Sequence, residues 1–244
     1  MNDFLIEEAD ALLRITINHP ERGNAMTDDM AVELTRLLTG AGGGIRVIVL
    51  RGAGDDFCVG RHRAPGGPPP LADALDRRDV SDVIFNAYGA FRRAPVPIIG
   101  VVRGRALGFG CAIAALCDIT IAGERAQFQV PEYAHNIMPT MVMSALVDRV
   151  PRKAMSYLVY STAIVSAQQA LACGLASAVV PEAELDATVD QLCRNIIKAP
   201  LPATHAVKEY VRSAPDMSTP GAVEYARNLH ATINSTIDAR MKRG

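Results

Sequence analysis

Three short segments carry residue types suited to chemistry on a carbonyl group: FCVGR at 57–61, GRALGFG at 104–110 and QVPEY at 129–133. The first two contain glycines near expected strand ends, where a tight turn leaves main-chain N–H groups open to a ligand. The second is expected to join a buried strand to an apolar helix. Its amides then lie at a helix N-terminus, where donors are unpaired and the dipole favours an anion. Gly108 and Gly110 let that backbone bend and leave room for a ligand. Taken singly, each turn is equally explained by a chain that needs positive φ. Glu132 follows Pro131 in a stretch, 126–139, with few charges. A solvated surface carboxylate is the plainer reading of that residue alone. Two donor turns and one carboxylate together suit a reaction in which a carbonyl oxygen briefly holds negative charge while a single acid moves a proton.

The elements that must position these residues follow from hydrophobic periodicity. Residues 12–18 (LLRITIN) alternate and are β-branched, predicting a strand that ends at His19-Pro20. Thr27 followed by Asp28 and Asp29 is a helix start, a capping hydroxyl with acids in the first turn, and this helix runs to about Leu38. Residues 45–50 (IRVIVL) are nearly all apolar, as in a strand buried on both faces. Strand, helix and strand in that order predict a parallel crossover. The Pro- and Gly-rich 64–70 stretch reads as a loop, followed by a helix to about Phe91 and a buried strand at 96–102. Residues 111–116 continue the 104–110 turn as an apolar helix, and 119–122 and 127–130 are short strands. After Pro139 the pattern is helical to Tyr160, with Pro151 dividing two helices. A short helix at 167–173 capped by Gly174 precedes a last strand at 177–180. From Glu182 the chain is helical with proline punctuation. The pattern therefore divides into a core over 1–181 and a helical region over 182–244. Val223, Ala226, Leu229 and Ile233 form an apolar stripe that either the chain's own core or a neighbouring subunit must cover.

The 244 residues are 49% hydrophobic and 21% charged, with a net charge of −1, an ordinary globular balance. Neither nucleic acid nor an anionic membrane is expected as a partner. The five cysteines include no C-x-x-C pair and are expected as reduced, packed thiols in a cytoplasmic protein. No apolar run approaches the roughly 20 residues that span a bilayer. His19, His62, His135, His205 and His230 lack metal-ligand spacing, and no phosphate-loop, G-x-S-x-G or dinucleotide fingerprint is present. No metal and no separate cofactor are expected.

The ordered series LLRITINHPERGNAM (12–26), IRVIVLRGAGDDFCVG (45–60), PVPIIGVVRGRALGFGC (95–111), CDITIA (117–122), QFQVPE (127–132) and ALACGLASAVVP (170–181) resembles the crotonase superfamily, the enoyl-CoA hydratase/isomerase family, over nearly the whole chain. The resemblance implies an α/β fold, a spiral of ββα units with a C-terminal helical oligomerisation region that makes trimers or hexamers. It also implies an acyl-CoA thioester substrate, coenzyme A being part of the substrate. The family's oxyanion hole places two main-chain donors at Arg61 and Phe109, beside Gly108, and its proton carrier at Glu132. Its coenzyme A contacts correspond to Arg22, Gly23, Ala25, Val59 and Gly60; Arg22 either meets a phosphate oxygen or is simply solvated.

The chain also departs from the family. The first of the two glutamates of the hydratases is replaced by Ala112, which transfers no proton. Phe109 stands where the family usually has glycine, so it is expected to crowd the pocket or restrict the backbone. His62 and Arg63 replace the usual acidic residue near the first turn, and Thr140-Met141 replace a common glycine pair. A single glutamate at position 132 resembles the enoyl-CoA isomerases, and some lyases keep only this acid too. Hydratase activity is the rival expectation, and a non-catalytic acyl-CoA binder or scaffold is a second class of reading.

Overall fold

The computed structural model describes residues 2–62 and 73–241; Arg63 and the expected loop at 64–70 lie outside the described residues. Its centre is a six-stranded sheet. Strand β1 (Phe4–Ala9) pairs antiparallel with β2 (Leu12–Ile17), and β3 (Val47–Gly52) lies parallel to β2 after the crossover helix α1 (Asp28–Thr39). Thr27 caps α1, its hydroxyl accepting the Met30 amide at 3.2 Å, as its position before two acids predicts. Helix α2 (Ala74–Arg93) leads to β4 (Ile98–Val102), parallel to β3.

From β4 the chain crosses to a second, three-stranded sheet through β5 (Arg105–Leu107) and enters helix α3 (Phe109–Leu116). The same movement follows with β6 (Ile119–Gly123) in the large sheet and β7 (Gln127–Gln129) in the small one. These are the repeated β-β-α turns of the expected spiral. Helices α4 (Thr140–Leu146) and α5 (Arg152–Ser161) come next. Strand β8 (Val165–Ser166) completes the small sheet, and after α6 (Ala167–Ala172) strand β9 (Ala178–Val180) ends the large one. Two differences from the sequence reading stand out. Residues 104–110 are not one turn: three of them form β5, and helix α3 already begins at Phe109. Strand β1 gave no periodic signal, because only Phe4 of its residues is buried.

Period-two alternation sends the strand side chains into two apolar layers. Ile48, Leu50, Ile98 and Val102 join Met30, Leu34 and Leu38 of α1 in the main core. Val47, Val49, Ile99 and Val101 point the other way and are covered by Leu185, Val189 and Cys193 of α7 (Leu185–Lys198). Both faces of β3 and β4 are thus buried, which accounts for their unbroken apolar sequences. Although α7 follows the expected boundary at 181, it forms the outer layer of the sheet.

Helix α8 (Leu201–Ser213) is tied to the core through Lys208, which is 8% exposed. Its ammonium donates to Asp118 Oδ2 at 2.6 Å and to the Phe91 carbonyl at 3.3 Å, while Asp118 also accepts the Ile98 amide at 2.7 Å. Helix α9 (Thr219–Met241) stacks Tyr225 on Tyr210 of α8 with ring centroids 5.8 Å apart. Of the predicted stripe, Ala226, Leu229 and Ile233 line a groove shared with α8, whereas Val223 is exposed.

Candidate active site

The two glycine turns are held side by side by main-chain hydrogen bonds. The amides of Phe57 and Cys58 both donate to the Arg105 carbonyl at 3.1 Å, and the Leu107 amide donates to the Cys58 carbonyl at 2.9 Å. Gly110 then passes so close to Cys58 that a Cβ there would land on the Cys58 carbonyl. On the other side, the Val59 amide donates to the Gly23 carbonyl at 2.9 Å. The Met26 amide reaches the Gly60 carbonyl at 2.9 Å, and the His62 amide reaches the Met26 carbonyl at 2.7 Å.

This last pair forms a parallel bridge between Met26 and Arg61 that uses the neighbours of Arg61, so the Arg61 N–H faces away from Met26. Phe109 is the first residue of α3, where an amide has no partner within its helix. Among the described residues neither amide donates to a main-chain carbonyl. The Arg61 guanidinium is occupied elsewhere, in a bidentate pair with Asp28 at 2.7 and 2.5 Å.

Glu132 reaches the same place from the small sheet. Strands β5 and β7 run parallel, with Leu107 opposite Gln129, and the Gly108 amide extends the ladder by donating to the Gln129 carbonyl at 2.9 Å. Pro131 has no N–H to continue it. The chain turns into a 3₁₀ helix, Glu132–His135, closed by Asn136 in the left-handed region. The Glu132 carboxylate thereby lies against Gly108.

A cavity of about 350 Å³ gathers Val59, Gly60, Arg61, Gly108, Phe109 and Glu132 in its wall. The rest of the wall is mainly apolar: Ile84 of α2, Ile137, Met138, Met141 and Val142, with the ring of Tyr88 from α2. Phe109 is 4% exposed and packs on Tyr88 with centroids 5.4 Å apart, so it narrows the cavity while its backbone stays helical. Ala112 is fully buried and is not part of the wall. Glu132 is the one carboxylate among the described wall residues. Burial raises its pKa above the ordinary 4.5, opposed in part by its own main-chain amide and by His135, and its Oε2 has no hydrogen-bond partner among the described residues.

Arg22, Gly23 and Ala25 do not reach the cavity wall. They form the turn beside it, which Gly23 joins through Val59. Asn24 braces that turn by accepting the His19 amide at 2.9 Å and donating to the carbonyls of Ala53 and Asp56 at 2.8 and 2.7 Å. Arg22 Nε is buried without a hydrogen-bond partner among the described residues, and its Nη2 donates to Met30 Sδ at 3.4 Å. Besides the apolar lining, two wall residues with polar groups, His135 and Tyr88, escaped the sequence reading. His135 was set aside with the other histidines, although i and i+3 on a 3₁₀ turn project together and place it on the side of Glu132. Tyr88 lies in a helix far from both turns; its only signal is its spacing of four from Ile84 on an apolar stripe. Among the described residues no cluster of His, Cys, Asp and Glu is disposed to hold a metal ion, and no helix is long and apolar enough to cross a membrane.

The family model described as enoyl-CoA hydratase/isomerase matches residues 7–243. The 2,3-dehydroadipyl-CoA hydratase of Escherichia coli (strain K12) is 29% identical over 244 residues, covering 98% of this chain and 92% of that protein. The probable enoyl-CoA hydratase echA6 of Mycobacterium tuberculosis is 30% identical over 233 residues, covering 93% and 87%. Among solved structures, a putative enoyl-CoA hydratase from Thermobifida fusca YX in complex with CoA matches with a TM-score of 0.85 at 28% identity, over 97% of this chain and 95% of that one. An enoyl-CoA hydratase from Mycobacterium smegmatis matches in fold with a TM-score of 0.88 at 23% identity, over 100% and 97%.

Proposed function

Because the chain belongs to the enoyl-CoA hydratase/isomerase family, we propose that it shifts the double bond of an enoyl-CoA thioester by moving one proton on Glu132. The thioester carbonyl accepts the N–H groups of Arg61 and Phe109. Glu132 removes a proton from the α carbon of a 3-enoyl thioester, and the electron pair passes to the carbonyl oxygen as an enolate. Collapse of the enolate moves the double bond to the 2,3 position as the γ carbon takes the proton back from Glu132. Each oxyanion donor of this kind is worth about 2.7–4 kcal/mol, and a positioned base about 10²–10⁴-fold. The observation that carries this reading is a single carboxylate in the wall, held in an environment that brings it toward the working range of an acid–base group. The turn of Arg22, Gly23 and Ala25 receives the coenzyme A portion through its main chain, since Arg22 Nε is buried and its Nη2 donates to Met30 Sδ at 3.4 Å.

Hydration of a 2-enoyl-CoA is the second reading, favoured by the hydratase names of the curated relatives. It requires one group to activate water and a proton to be delivered to carbon, and Ala112 supplies neither. Incubation with 3-enoyl- and 2-enoyl-CoA separates the two. Isomerisation that drops about 10²–10⁴-fold in Glu132→Gln supports the proposal. Water addition as the dominant reaction would replace it with the hydratase reading. Thioester binding without turnover of either substrate would leave a binder or scaffold.

A further inference from the structure

Tyr88 is 2% exposed, yet it forms part of the cavity wall, and its hydroxyl makes none of the hydrogen bonds found among the described residues without being one of their fully buried unpaired atoms. Its ring is fixed between two constraints: it rises from α2 one turn after Ile84, and it packs on Phe109 at 5.4 Å. Ile84, Met141 and Val142 give the wall around it apolar side chains, and the polar wall residues Arg61, Glu132 and His135 make no hydrogen bond to its hydroxyl. The hydroxyl is not one of the fully buried unpaired polar atoms of the described residues, so it opens onto the cavity, and a ligand that displaces solvent there must replace that solvent as its partner. From this placement, and resting on the acyl-CoA reading above, we infer that the Tyr88 hydroxyl is a substrate-binding donor that selects acyl thioesters whose chain carries a hydrogen-bond-accepting oxygen beyond the thioester.

The neighbours fix the direction of that hydrogen bond. Burial, then the nearby Glu132 carboxylate, raise the phenol's pKa well above its ordinary value, with Cys111 and Cys58 adding and Arg61 opposing. A phenol so disposed keeps its proton throughout the working pH range. It therefore binds by donation and is a poor proton carrier, which separates it from the role of Glu132. Because Tyr88 packs on the residue whose amide is the proposed oxyanion donor, the recognised oxygen belongs on the acyl chain close to the reacting carbons. A hydrocarbon chain filling the cavity leaves the hydroxyl stranded, whereas a hydroxyacyl or oxoacyl chain satisfies it.

The test is a calorimetric comparison of acyl-CoA thioesters of equal length, butyryl against 3-hydroxybutyryl and 4-hydroxybutyryl, bound to the intact protein and to Tyr88→Phe. All titrations are made in the Glu132→Gln background so that no ligand is consumed. The expected result is about three- to tenfold tighter binding of at least one hydroxylated thioester, a preference that disappears in Tyr88→Phe. The phenylalanine keeps the ring packed on Phe109, so retained butyryl-CoA affinity reports an intact cavity. A preference that survives Tyr88→Phe overturns the inference, as does a parent protein that binds all three alike. Equal weakening of all three in Tyr88→Phe also overturns it, since the hydroxyl would then serve the shared thioester. Failure of every thioester to bind removes the acyl-CoA reading itself.

Discussion

Gly108 stands so close to Glu132 that a Cβ on it would come within 2.6 Å of the carboxylate Oε1. The two meet because β5 and β7 share a parallel ladder that reaches one residue further, through the Gly108 amide and the Gln129 carbonyl. Gly108 also has φ 51° and ψ −113°, a conformation that side-chain-bearing residues rarely adopt. Gly108→Ala should therefore displace the carboxylate by a fraction of an ångström or more and lower kcat/KM by about 10²-fold. Coenzyme A thioester affinity, measured by calorimetry, should change far less. Wild-type turnover in this variant would show that the carboxylate does not need its present position.

Glu132 carries a stability signature that can be read without any substrate. Its carboxyl has a folded-state pKa raised by burial above the ordinary 4.5, so the ionised form is disfavoured by folding. The associated stability is present below the unfolded value and is lost as pH rises through the folded one. Glu132→Gln removes the ionisable group while keeping its shape. Its melting temperature should exceed that of the parent at pH 7, and the gap should narrow as pH falls toward 4.5 and the parent takes up its proton. A gap that widens on acidification would mean the carboxylate is stabilised by partners not seen around it.

Lys208 tests how firmly the C-terminal helices hold to the sheet. Its ammonium is nearly buried against Asp118, and removing one partner of such a pair costs about 3–5 kcal/mol. Lys208→Met should lower stability toward the smaller of these figures, because Asp118 keeps the Ile98 amide as a donor. Urea denaturation measures this directly. A loss below about 1 kcal/mol, the range of surface pairs, would show that the contact contributes little to docking α8.

Much of the fold could be read from the chain because local and long-range signals agree. The Thr27 cap, the apolar runs of β3 and β4, and Pro151 between α4 and α5 each specify a boundary that tertiary packing then uses. Strand β1 was hidden because its pairing with β2 needs main-chain bonds but little burial, and Leu5 and Ile6 remain over 40% exposed. Strand β5 was hidden because glycines on either side of three residues read as one turn. For the site, the resemblance names both turns and Glu132 because they lie in contiguous motifs. Tyr88 and His135 enter the cavity through the docking of α2 and the pitch of a 3₁₀ turn, neither of which leaves a mark in residue spacing along the chain.

The contact between Gly110 and Cys58 is main chain against main chain, with no side chain between. Peptide geometry therefore governs the separation of the two amides that follow from it. The apolar side of the cavity is drawn from α2 and from residues 137–142, on different scaffolding. Under the proposed function, substitution at Ile84, Met138 or Met141 would thus retailor which chains fit while the amides of Arg61 and Phe109 stay as they are. Divergence of selectivity within this architecture needs no renegotiation of the chemistry.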